Sequence, residues 1–264
     1  MQNNLVSIIT PMYNASRFVA QTIESVLIQT YPHWEMLIIN DGSRDNCVEI
    51  VERYLENDNR IKLIHQPNTG SAAARNNGIR QASGRYIALL DADDLWDSKF
   101  LESQLRFMKE KKATVVCSAY RRIDEDSKEI LQVQKVKLVV SLSDMRMTNH
   151  IGCLTGLYDT KQFGKIFLKE ELKSIRDDYA FWLDIVTLAG VAYGNQEILA
   201  SYRVLSNSTT GNKKKLIGSQ FLFYYRYQKL GIIRSVIYTI YWGVLGIRKF
   251  NTNTFKKVEY NGKI

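Results

Sequence analysis

Within its first 94 residues the chain alternates four short apolar runs with segments of helical period, and that alternation leaves few folds open. Residues 5–10 are apolar and β-branched and stop at Pro11, so they read as a strand buried on both faces. Residues 16–30 carry Phe18, Val19, Ile23, Val26 and Leu27 at helical spacing. Strand-like runs at 34–40 and 61–65 are followed by helices at 48–55 and 70–82. The fourth run, Tyr86 to Leu90, is bounded by Gly84 and ends in three carboxylates, Asp91, Asp93 and Asp94. Strand and helix in turn, with short connections, predict an α/β domain with a parallel sheet covered on both faces. In such a sheet ligands bind beyond the carboxyl ends of the strands, where these aspartates lie.

The second half is less regular. A helix is expected from 97 to 111, strands at 113–120 and 130–140, a helix at 177–189 and a strand at 192–204. This pattern suits a substrate half built on a mixed sheet. Residues 206–215 read as a polar loop, and 216–250 as a tyrosine-rich, apolar and basic helix pair broken near Gly231. The expected division is a catalytic domain over 1–212 and a helical tail over 213–264.

Charge separates the same two parts. The net +9 is concentrated in residues 213–264, which hold eleven Lys or Arg and one acid, whereas 1–212 is close to neutral. A nucleic-acid-binding face on the core would need its own basic patch, so nucleic acid is not expected as a partner. An anionic membrane surface suits the tail better. Residues 232–247 are mostly apolar but interrupted by Arg234, and fall short of the about 20 residues that span a bilayer. Tyr238, Tyr241 and Trp242 suit an interface; a helix packed on the domain, or a homodimer contact, is the alternative. Cys47, Cys117 and Cys153 form neither a disulfide framework nor a zinc pattern, and residues 1–10 lack a secretory signal. The expectation is a cytoplasmic protein, peripheral on the inner face of the cell membrane.

Three carboxylates this close repel one another, and Mg²⁺ or Mn²⁺ would relieve them while sharing oxygens with a substrate phosphate; an acidic turn capping the next helix is the alternative. Thr10-Pro11-Met12-Tyr13-Asn14 follows a strand but lacks the glycine pattern of a dinucleotide site. Tyr13 can stack on a base there, with Thr10 and Asn14 as polar partners. Asp41 sits where Rossmann folds read a ribose or base, or else starts a simple Asp-Gly turn. Arg75 lies one turn inside the helix after Gly70, suited to a diphosphate or to an ion pair with Asp41 or Asp91. Asp177 and Asp178 open a helix, where acids favour the dipole.

In this order, residues 6–14, 39–43, 68–78 and 90–94 resemble family 2 glycosyltransferases of the GT-A fold, a Rossmann-like nucleotide-binding half joined to a mixed central sheet. The resemblance continues at 176–183 and 201–204, and the run from Gly152 to Leu183 is most similar to the bacterial cell-wall and capsule polysaccharide subgroup. It implies an inverting, metal-dependent transfer from a nucleotide-sugar donor, UDP favoured, to a saccharide or lipid-linked acceptor. Carried onto this chain, Thr10, Pro11, Tyr13 and Asp41 hold the nucleotide, with Arg75 near it. Asp91, with Ala92, meets the ribose or the metal, and Asp93 carries the metal. Asp178 is the base, Asp177 being its alternative. Arg203, or Lys213 to Lys215, closes over the diphosphate. The chain lacks the Gln-x-x-Arg-Trp motif of processive members, which implies a single addition. His150 is expected to be structural. The rival readings are a sugar-nucleotide nucleotidyltransferase, which would need a glycine-rich basic loop after the first strand, and a catalytically dead transferase fold serving as a membrane interaction protein.

Overall fold

A computed structural model describes residues 2–172, 176–205 and 213–251. Its first half is set by β1 (Gln2–Met12), which takes β2 (Trp34–Asp41) on one side and β4 (Gly84–Leu89) on the other, both parallel. β3 (Ile61–Gln66) extends the sheet beyond β2. The chain thus steps outward from β1 to β3 and then crosses back to lay β4 on the opposite side, which makes the gap between β1 and β4 the topological switch point. Pairing of β4 with β1 ends at Leu89 opposite Ile9, whereas β1 stays on β2 as far as Met12 opposite Asn40. The two strand ends therefore part, and a crevice opens between Pro11 and the aspartates.

All eight residues of β2 are buried, as expected of a central strand covered on both faces. On one face α1 (Val19–Leu27), α2 (Cys47–Leu55) and α4 (Phe100–Lys111) pack over Val6, Ile8, Met36 and Ile38. On the other, α3 (Ser71–Gln81) and α6 (Asp177–Ala189) pack over Ile9, Leu37, Ile39 and Ile87. Gly78 lets α3 lie close: a Cβ there would stand 2.6 Å from side-chain carbons of Ile9 and Ile39. The sheet continues through β9 (Leu157–Asp159), antiparallel to both β4 and β6 (Val115–Ile123), then β10 (Val191–Arg203), parallel to β6, and β5 (Leu95–Trp96). It is mixed, as expected.

Some boundaries differ from the expectations. Residues 130–140 form two strands, because this edge segment changes partner: β7 (Glu129–Gln134) pairs with β6, and β8 (Val139–Ser141) with β10. α1 begins at Val19 instead of residue 16, since the Ser16 amide is tied to Asp45 Oδ2, in the loop after β2, at 2.8 Å and the chain turns once more before coiling. α5 (Leu142–Met147), closed by a Ser141–Asp144 capping box, was not anticipated. Of the loop expected at 206–215, residues 206–212 lie outside the described ones, and the rest opens α7 (Lys213–Leu222). A π-helical turn, Phe223–Tyr227, and α8 (Gly231–Asn251) complete the tail. The turn is docked on the domain: Phe223 stacks on Tyr179 at 4.4 Å, Tyr224 donates to the Met147 carbonyl, and Tyr227 donates to Asp184 at 2.6 Å. No described helix is long and apolar enough to cross a membrane.

Glu35 holds the amino-terminal edge of the four parallel strands. Its buried carboxylate accepts from Ser7 Oγ at 2.7 Å, the Ser83 amide at 2.6 Å and Lys62 Nζ at 2.8 Å. Burial alone would raise its pKa, but these bonds together hold it below the ordinary value of 4.5. The resulting stabilisation is complete above the unfolded value and is lost as pH falls through the lower folded one. Glu35→Ala should lower the unfolding free energy by about 1.5–3 kcal/mol at pH 7, since charge-assisted bonds are lost. The deficit should shrink as pH falls below 4.5, where the unfolded carboxyl takes up its proton before the native one, and vanish once pH has passed below the lower native value. Urea melts at the two pH values check this; an equal deficit at both would overturn it.

Candidate active site

Asp91 to Asp94 form a tight turn off the end of β4, closed by the Asp94 amide on the Asp91 carbonyl at 3.1 Å. Ala92 is buried in the core, which leaves Asp91 and Asp93 half-buried on the crevice side. Asp94 turns inward, 2% exposed, and accepts the Arg203 amide at 2.8 Å.

Arg203 does not reach over the crevice. It is 2% exposed, and its guanidinium donates to the Asp93 carbonyl at 2.8 Å, the Asp124 carbonyl and Ser127 at 3.0 Å, and Gln21 at 2.7 Å. A group this fully hydrogen-bonded supports the aspartate turn from below, so the expectation that it closes over a diphosphate is corrected. The side chains of Lys213 to Lys215 lie outside the described ones.

Arg75 is likewise drawn beneath the site. One nitrogen is 2.5 Å from Asp91 Oδ1 and another 3.3 Å from Asp177 Oδ2. Of the two ion pairs anticipated for it, the one with Asp91 forms and the one with Asp41 does not. Asp41 is 4% exposed and takes the loop after β3 instead: Oδ1 accepts from the Thr69 amide and Gln66, and Oδ2 from the Gly70 amide, all at 2.8 Å. Gly70, at φ +95°, is the turn into α3. Asn14 ties this side together, donating its amide to Ser43 and accepting from the Arg44 amide at 2.8 Å. Tyr13 is 49% exposed at the mouth of the crevice, a free ring. Thr10 is fully buried, and its hydroxyl has no hydrogen-bond partner among the described residues. Pro11 lies where β4 has already left β1, so its missing N–H costs that pairing nothing.

Across the crevice, α6 is apolar around most of its girth and, Asp184 apart, buried from Tyr179 to Val186, which fixes its first turn firmly. The two acids of that turn part in role. Asp177 is buried against Arg75, whereas Asp178 is half-buried and its nearest described partner is Asn149 Nδ2 at 3.5 Å. His150, next to that asparagine, is half-buried.

Burial pushes the Asp178 carboxyl up, Asp177 adds to this, and Arg75 and Arg176 oppose it. Burial, then the Asp91 charge, raises Asp93 to about 6. Asp94 is raised well above the usual range by burial and by its two neighbours. The site is thus short of positive charge at the crevice surface. Its hard oxygen donors fit Mg²⁺ or Mn²⁺, and Asp91 and Asp93 would hold it. The described residues contain no cluster of three or more metal-ligating side chains. The donor set therefore suits an ion that completes its shell with substrate phosphate and water.

What sequence reading missed is the Arg75 bridge to Asp177, 102 residues away. The doubled acid was visible, but its division into a paired and an open carboxylate was not. Removing Arg203, as in Arg203→Met, leaves several carbonyls and Asp94 without their donors and should cost about 3–5 kcal/mol of stability; a thermal melt within error of the wild type would contradict the role given to it.

The sequence and the fold find counterparts among known proteins. Residues 7–178 match the family model described as "Glycosyl transferase family 2". A Bacillus subtilis chain named as the teichuronic acid biosynthesis glycosyltransferase TuaG is 36% identical over 88% of this chain and 91% of its own length. The Escherichia coli UDP-Glc:alpha-D-GlcNAc-diphosphoundecaprenol beta-1,3-glucosyltransferase WfgD is 33% identical over 94% of this chain and 96% of its own. Among solved structures, S. aureus TarS 1-349 in complex with UDP-GlcNAc has a TM-score of 0.68 at 21% identity, covering 82% of this chain. This chain spans just under two thirds, 64%, of that one. The mannosyltransferase PcManGT from Pyrobaculum calidifontis, in complex with GDP-Man and Mn2+, has a TM-score of 0.66 at 16% identity, covering 90% of this chain and 70% of its own. These likenesses establish the GT-A fold, and the sequence matches establish that the chain belongs to glycosyltransferase family 2.

Proposed function

We propose that the chain transfers one sugar, with inversion, from a UDP-sugar to a lipid-linked saccharide during assembly of a cell-envelope polysaccharide. The observation that carries this reading is the half-buried Asp178 carboxylate, next in the chain to Asp177, which Arg75 ties to Asp91 of the aspartate turn. Tyr13 offers its face to the base, and the Asp41 loop walls the nucleotide end. Asp178, with its pKa raised by burial, takes the proton from the acceptor hydroxyl. That oxygen attacks the anomeric carbon as the bond to UDP breaks on the opposite face, and UDP leaves with the bonding electrons. One carboxylate suffices for inversion. Mg²⁺ or Mn²⁺ bound at Asp91 and Asp93 would supply charge against the departing diphosphate. Asp177 is spent on Arg75, which favours Asp178 as the base. Support for the donor and acceptor classes comes from the names of relatives: WfgD takes UDP-Glc and a diphospholipid acceptor, and TarS was solved with UDP-GlcNAc.

The tail fits an anionic membrane. On α8, Ile232, Ile233, Val236, Ile237, Ile240, Tyr241 and Val244 share one exposed face, reaching 77% exposure at Ile233. Arg226, Lys229 and Arg234 are exposed beside them. Burial of the apolar face supplies the attachment, and each basic group near the surface adds about 1 kcal/mol.

Two experiments test these readings. With UDP-GlcNAc or UDP-glucose as donor, Asp178→Asn should cut turnover by about 10²–10⁴-fold while UDP binding persists. Asp93→Asn should remove the dependence on Mn²⁺ together with activity. Inactivation by Asp177→Asn alone, or full activity in EDTA, would overturn the assignments. For the tail, the double substitution Ile233→Glu, Ile237→Glu should release the full chain from anionic vesicles without changing donor turnover in solution. Vesicle binding equal to the wild type would overturn membrane attachment through this face.

A further inference from the structure

Arg176 stands apart from the other arginines of the site. Its backbone is left-handed, at φ +63°, directly before α6, a conformation uncommon for a residue with a side chain. Its guanidinium lies over the indole ring of Trp242 on α8, 5.0 Å from the centroid. Nε and Nη2 are buried, and no described residue accepts a hydrogen bond from them or forms an ion pair with this side chain. Arginine stays charged at any working pH, and the Asp178 charge favours this cation without an ion pair or hydrogen bond joining the two among the described residues. Leaving such donors unmet is costly, and a protein tolerates it where a ligand completes the site. Arg203 shows the contrast, its guanidinium spent on carbonyls, and Arg75, though its Nε is also without a hydrogen-bond partner among the described residues, is ion-paired to two carboxylates.

Position narrows the ligand. Arg176 precedes Asp178 by two residues, so it sits on the base's side of the crevice, away from the turn of Asp91 and Asp93. Its ring partner, Trp242, is on the inner side of the same helix whose outer side carries the exposed apolar face. In a sugar joined to a lipid through a diphosphate, the attacking hydroxyl, the first phosphate and the hydrocarbon chain follow one another in that order. Asp178, Arg176 and α8 are arranged in the same order.

We propose that Arg176, seated on Trp242, binds the sugar-proximal phosphate of a lipid-diphosphate acceptor, which makes α8 part of the acceptor site. The inference rests on the transferase reading above for the role of Asp178. The guanidinium fork meets two phosphate oxygens, and the anion supplies the acceptors that Arg176 lacks. Trp242 holds the planar group in place by stacking.

The test uses the full chain with its donor site saturated by UDP and Mn²⁺. Farnesyl diphosphate, farnesol and inorganic pyrophosphate are titrated separately by calorimetry, with tryptophan emission as a second signal. Farnesyl diphosphate should bind, and Arg176→Gln should weaken it by about tenfold or more, one charge-assisted contact's worth. Arg176→Lys should recover part of the loss, and Trp242→Phe should lie between the wild type and the glutamine variant. UDP affinity and melting temperature, measured for each variant, separate the effect from misfolding. Equal binding by Arg176→Gln and wild type, or farnesol binding as tightly as its diphosphate, would overturn the proposal. Pyrophosphate matching farnesyl diphosphate would overturn its lipid-linked part. Failure of UDP to bind would sink the transferase reading instead, and the Arg176 dependence of farnesyl diphosphate binding would still be read without it.

Discussion

A single buried guanidinium holds the two halves of the site in register. Arg75 issues from α3 in the nucleotide half, meets Asp91 at the end of β4, and meets Asp177 at the start of α6 in the other half. Each partner is itself rigidly mounted, on a strand end in one case and on a buried helix in the other. The pairing drives the Arg75 pKa well above its ordinary value despite burial, with Asp91 the largest of the favourable influences. No contact of this kind could be replaced by a longer or looser one without letting the crevice change width. That matters because a base that is misplaced by an ångström loses most of its effect.

The other supports follow the same division of labour. Asp41 is taken up by the loop from Gln66 to Gly70, Arg203 by the underside of the aspartate turn, and Asp94 by Arg203. These polar groups are saturated within the protein and give the site its shape. Among the described residues the site groups not saturated in this way differ in chemistry: the Tyr13 ring, the Asp93 and Asp178 carboxyls, Arg176, and Asp91, whose one oxygen is paired to Arg75. Saturated groups behind and open groups in front are what preorganisation requires, because little has to rearrange when a substrate arrives.

Much of this was legible in the amino-acid order. Strand–helix alternation through residue 94 and the parallel sheet followed from local periodicity and short connections, as did the placement of Asp91 and Asp93 at a strand end. Tyr13 and Asp178 were picked out; the first is exposed and the second half-buried beside Asn149. The partners of Arg75 and Arg203 were only partly legible, since those bonds join residues about a hundred positions apart and depend on which strands become neighbours. The resemblance suggested Arg203, or Lys213 to Lys215, above the diphosphate, whereas Arg203 is buried beneath the aspartate turn. The split of 130–140 into two strands was hidden for a related reason, as an edge segment can change partner without any change in its own pattern. α8 combined two signals in one stretch, an outward apolar stripe and an inward face with Tyr238 and Trp242, which a single hydropathy reading merges.

The separations along the chain have a consequence for synthesis. The parallel core from β1 to β4 is complete once residue 90 has emerged, and with it the crevice between Pro11 and the aspartate turn. The bonds that steady that turn come from Asp177, 102 residues after Arg75, and Arg203, 109 residues after Asp94. A nascent chain therefore holds the outline of its nucleotide crevice long before it can make that crevice rigid. The order is a kinetic one: long-range closure comes after local pairing. The site takes its final shape only with the last strand of the sheet, so on the proposed function an incomplete chain would have a place for a nucleotide and no means of spending it.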